Sequence, residues 1–157
     1  MRIDVTRYTE DKSCATAAGL KAKLLADLGP VIHGIKLQRN RCLVATYLRP
    51  NVTGGGIILT TKTGEEERWQ GKVGLLLKIG PSAFDYEEIH QYMGEVGADI
   101  DGAHRAFGIP QVGDWVVYRT SETHEMGIEV VPGVCASCRQ IFDDSIIMAI
   151  NDPSVIW

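Results

Sequence analysis

The rhythm of the apolar runs limits this chain more than any other feature. CLVATYL (42–48), GIILTT (56–61), KVGLLLKI (72–79), DWVVYR (114–119), GIEVV (127–131) and SIIMAI (145–150) are short and rich in Val, Ile, Leu and aromatic residues. Between them stand PN, GGG, TGEE, GP, VGD, PG, DD and DP. Glycine supplies positive φ, proline removes a backbone donor, and Asn or Asp bonds its own backbone, so such clusters end strands. Many short strands punctuated in this way predict a small antiparallel barrel or sandwich. Val112-Gly113-Asp114 reads as a tight turn feeding Trp115, whose ring is expected in the core.

Two stretches break the rhythm. Residues 13–28, SCATAAGLKAKLLADL, read as a helix, with Ser13 expected at its cap and Gly29-Pro30 expected to stop it. Leu20, Leu24, Leu25 and Leu28 form one apolar stripe, which must cover either the chain's own domain or a neighbour. These four are candidate interface residues. Residues 81–111 contain four glycines and two prolines without sustained alternation. They read as a long excursion with one helical turn near 85–93. Loops of that length inside a domain usually serve a function, which makes Phe84, Tyr86, Tyr92 and Phe107 candidate contact residues. The expected organisation is mainly β: an N-terminal α-helical extension over 1–34, then a small irregular β-barrel over 35–157 carrying the 81–111 insertion.

A formal charge of −4 gives no broad basic field for nucleic acid or an anionic membrane. No segment approaches the roughly 20 apolar residues that span a bilayer. The opening MRIDVTRYTEDK lacks the basic-then-apolar order of a signal peptide, so a cytoplasmic setting is expected. Cys14, Cys42, Cys135 and Cys138 are too few and dispersed for a disulfide scaffold. Cys135 and Cys138 have C-x-x-C spacing, open to three readings: plain strand or core residues, half a metal site, or a redox pair. No second C-x-x-C or H-x₃-H completes a zinc set, so no metal is expected. The chain shows no G-x-S-x-G, no phosphate loop, no H-E-x-x-H and no dinucleotide fingerprint. The glycines at 54–56 lack the Gly-Lys-Ser/Thr and the helix that would hold a phosphate. The expectation is a protein that is not an enzyme and has no cofactor.

Those glycines pose the functional question. Gly54, Gly55 and Gly56 loosen the backbone, and Ile57, Ile58 and Leu59 follow with no polar residue between them. The triplet is either a barrel strand after a glycine turn or a sticky tip for a partner, with the glycines as hinge.

In order along the chain, IKLQRNRCLVA (35–45), GGIILT (55–60), GKV with its apolar run to Gly80 (71–80), VGDWVVY (112–118) and DDSIIMAINDPSVIW (143–157) resemble segments of the GroES-like co-chaperonin family. GGIILT is similar to that family's G-G-I-V-L-T nearly residue for residue. The resemblance implies an irregular β-barrel, commonly in a sevenfold ring, with terminal strands pairing between subunits. Residues 35–45 and 146–157 are the segments it assigns to that pairing. It also implies that Ile57, Ile58 and Leu59 dock in apolar grooves on chaperonin apical domains. The long extension and the 81–111 insertion depart from the family. VGDWVVYRTSE and GPSAF resemble GroES-like proteins of tailed bacteriophages, which leaves an alternative. The same barrel can serve as a virion structural protein, a capsid decoration or head-completion part, with helix 13–28 and residues 81–111 clamping other virion proteins.

Overall fold

The computed structural model describes residues 3, 4, 6–50 and 72–156. Six strands form one antiparallel sheet: β1 (Arg41–Thr46), β2 (Val73–Ile79), β3 (Trp115–Tyr118), β4 (His124–Val131), β5 (Val134–Phe142) and β6 (Ile146–Ile150). Their order across the sheet is β4-β5-β1-β2-β3-β6. Four α-helices accompany them among the described residues: α1 (Thr6–Thr9), α2 (Ala17–Ile32), α3 (Glu87–Val96) and α4 (Ile100–Ala106). The sequence reading expected a closed barrel. Among the described residues no ladder joins β4 to β6, and the sheet is open.

The sheet is covered on both faces, which is why its central strands read as unbroken apolar runs rather than alternating ones. On one face Leu43 and Ala45 of β1 and Leu75 and Leu77 of β2 pack with Trp115, Ile128 and the α2 leucines. On the other, Cys42 and Val44 join Leu76, Val116, Tyr118, Ile141 and Phe84. The strand period of two sends neighbouring residues into different cores. Gly74 permits close packing here, since a Cβ on it would lie 2.9 Å from the Ala45 carbonyl oxygen.

Helix α2 starts later and ends later than the sequence suggests. Asp11 accepts from the Ser13 amide (2.8 Å) and hydroxyl (2.7 Å), holding Ser13 in a preceding 3-10 turn. Thr16 is the cap instead, accepting from the Gly19 amide at 3.1 Å. Pro30 lies inside the helix and does not stop it. A proline in the last turn forfeits one helical bond, and Val31 and Ile32 beyond it pack against the core.

Residues 81–111 hold two helices where one turn was expected. Gly97 stops α3 in the left-handed conformation (φ 73°), its amide reaching the Met93 carbonyl at 2.9 Å. Asp99 starts α4 by accepting from the Gly102 amide at 2.7 Å. Gly94 and Gly102 sit within or at these short helices and hide their period in the sequence.

One expectation about assembly is corrected. β1, assigned by resemblance to pairing between subunits, lies in the middle of the sheet with β2 on one side and β5 on the other. Residues 41–45 therefore have no free edge to offer. β6 is an edge strand. No helix among the described residues is long and apolar enough to cross a membrane.

Candidate functional site

The two edges of the sheet are built differently. β4, HEMGIEVV, carries His124, Glu125 and Glu129, the kind of charges that discourage a second strand from adding. β6, IIMAI, carries no charge and no proline. It pairs with β3 from Trp115↔Ile150 to Tyr118↔Ile146 and has no second partner among the described residues. Ile147 and Met148 are 57% and 48% exposed. Such an edge is an unguarded template for another strand or an apolar partner.

A groove of about 310 Å³ runs beside it, walled by Phe84, Tyr86, Phe107, Pro110, Ile146 and Met148. Its floor is organised by Asp143, which is 4% exposed. The Asp143 carboxylate accepts from the Phe84 amide (2.8 Å), the Asn40 side-chain amide (2.9 Å) and the Asp144 amide (2.7 Å). The Phe84 contact holds that residue at φ 59°, a region a bulky side chain seldom adopts. Burial raises the Tyr86 hydroxyl above its ordinary pKa, and the nearby Asp143 charge adds to the shift.

A second feature lies where β1 and β2 meet. Thr46 pairs with Gly74, so the chain leaves and re-enters the sheet at one place. The Tyr47 amide donates to the Val73 carbonyl at 2.9 Å, and the Tyr47 ring meets Trp115 edge-on at 5.5 Å. Arg49 Nη2 donates to the Ile156 carbonyl at 3.0 Å, tying the departing chain to the C-terminal segment. The candidate triplet Ile57, Ile58 and Leu59 and its glycines Gly54, Gly55 and Gly56 lie outside the described residues.

The other candidate residues divide. Leu20, Leu24 and Leu28 are buried against the sheet, so the surface the helix covers is the protein's own, and only Leu25 of the four is exposed. Among these leucines, three are thereby withdrawn as partner contacts. Phe84, Tyr86 and Phe107 come together in the groove, and Tyr92 meets Phe107 edge-on at 5.5 Å. The resemblance assigned 146–157 to pairing between subunits, and within it the sequence reading did not single out the exposed pair Ile147 and Met148. It also treated Asp143 as a turn residue.

Cys14, Cys42, Cys135 and Cys138 are all buried free thiols. Cys135 and Cys138 are three apart on β5 and therefore face opposite sides of the sheet. Neither a shared metal nor an internal disulfide fits that geometry. Burial pushes the Cys138 thiol up to about 12, and burial followed by the Asp143 charge does the same for Cys42. Among the described residues no group of three or more His, Cys, Asp or Glu is placed to hold a metal ion. Comparison with protein-family models and with curated proteins gives no match to this chain.

Proposed function

We propose that this protein is a self-associating GroES-like co-chaperonin, and that Ile57, Ile58 and Leu59 are its chaperonin-binding tip. The observation that carries the reading is β6: an uncharged edge strand with Ile147 and Met148 exposed beside a groove of mixed aromatic, aliphatic and carboxylate lining. A neighbouring copy that covers this edge satisfies its backbone groups and buries those side chains. The segment with the triplet is anchored at its departure by Tyr47 and Arg49, which suits a tip presented from a fixed base.

Burying three aliphatic side chains stabilises docking by roughly 1.5–3 kcal/mol each. Ordering a loop costs roughly 1–2 kcal/mol for each residue fixed. A single tip therefore binds weakly, and a ring of tips binds through multivalency while remaining able to release. The rival reading as a virion part used helix 13–28 as a clamp. Leu20, Leu24 and Leu28 of that helix face inward, which leaves Leu25 as the exposed member of its apolar stripe.

The test replaces Ile57 and Leu59 with Ser in the full chain. The double variant keeps its oligomeric mass and loses nucleotide-dependent association with a chaperonin, together with assisted refolding. Unchanged association overturns the docking role. Many copies of the chain in purified virus particles, found by mass spectrometry, overturn the chaperonin reading.

A further inference from the structure

The charge is unevenly placed. Residues 85–101 hold six acids (Asp85, Glu87, Glu88, Glu95, Asp99, Asp101) and no Lys or Arg. Residues 33–42 hold Lys36, Arg39 and Arg41 and no acid. Each segment also carries an apolar feature of the opposite shape. The α3–α4 hairpin protrudes, with Val96 60% and Ile100 44% exposed on either side of its turn. That turn is fixed by Gly97 in the left-handed conformation and by the Asp99 cap. The basic segment borders an open pocket of about 450 Å³ on the α2 face of the sheet. Ile35, Leu37, Leu43 and Met126 make it apolar, and Lys36 and Arg41 stand among its polar lining. It is preformed. Lys78 Nζ donates to the carbonyls of Ile32 and Ile35, and the Arg41 guanidinium lies 4.7 Å from the Phe142 ring centre.

A hairpin cannot fill the pocket of its own chain. Its root, Phe84 and Ile109, packs with Cys42 and Val44, while the pocket wall Leu43 faces the other side of β1. We propose that Val96 and Ile100 of one copy seat in the basic-rimmed pocket of the next copy, with Glu95 and Asp101 opposite Lys36 and its neighbours. The contact is heterologous, head to tail, so it closes a ring or continues as a filament. It rests on the self-association in the reading above and is independent of chaperonin docking. Opposed charges set which surfaces meet, and the apolar tip in its pocket supplies the buried contact.

The experiment uses the full chain. Val96→Cys and Gln38→Cys are made separately, both at exposed positions away from the buried native thiols. With a short bis-maleimide linker, a mixture of the two variants gives covalent dimers, and neither variant alone does. Glu95→Lys/Asp101→Lys and Lys36→Glu/Gln38→Glu each weaken self-association about tenfold by sedimentation, and mixing the two strengthens it again above either variant alone. Thermal unfolding of each variant confirms that it is folded. Absence of a mixture-specific dimer, or a change below about twofold on reversal, overturns the contact. If assembly is then lost only with Ile147→Glu/Met148→Glu, the β6 association stands without the hairpin. A wild-type monomer at all concentrations overturns both.

Discussion

Replacing Asp143 with Ala tests the base of the groove. The carboxylate is buried and accepts three hydrogen bonds, from Phe84, Asn40 and Asp144. The Phe84 amide is enclosed, and leaving it without an acceptor costs ~1–3 kcal/mol. The Asn40 and Asp144 donors lie nearer solvent, and water recovers part of what each loses. Together these give a destabilisation of about 3 kcal/mol, with Phe84 no longer held at positive φ. Urea unfolding followed by tryptophan fluorescence measures it, provided the slope is unchanged. Asp143→Asn keeps the volume but turns a donor toward one of the three donors, so it falls between wild type and Ala. A loss below about 0.5 kcal/mol for Asp143→Ala refutes the view that this carboxylate organises the groove.

Leu24→Ala or Leu28→Ala removes a side chain buried between α2 and the sheet and costs ~2–5 kcal/mol in the same assay, and a loss below ~1 kcal/mol contradicts the packing. Asp27 accepts from Arg7 Nε (2.8 Å) and from the Tyr8 hydroxyl (2.9 Å), and the Arg7 bond holds its carboxyl below the ordinary value of 3.8. Because the folded value is depressed, its contribution is complete above about pH 4 and fades as pH falls further. The stability gap between wild type and Asp27→Asn therefore narrows from pH 7 to pH 3, and a constant gap contradicts the pairing. The four native thiols stay unreactive to an aromatic disulfide reagent until the protein unfolds, and fast reaction of Cys135 or Cys138 in the folded state contradicts their burial.

Strand rhythm was legible because both sheet faces are apolar, and CLVAT and VGLLL are runs too short for a helix once turns bound them. Helix α2 was legible from its leucines, yet its limits were not. Asp11 captures Ser13, and tertiary packing carries the helix through Pro30. Of the α3–α4 hairpin only one helical turn near 85–93 was legible, because glycines dilute its apolar period. Sheet order cannot be read from runs alone, so β1 was assigned to an edge although it is central. The groove depends on Asp143 meeting Phe84 across 59 residues of chain, a contact that no local pattern encodes.

The proposed self-association closes copies of this chain into a ring that presents its tips together. Native mass spectrometry of the full chain tests it most directly. The expected result is one discrete closed oligomer, which collapses when Ile147 and Met148 are both replaced by Glu. A chain that stays monomeric at every concentration contradicts it.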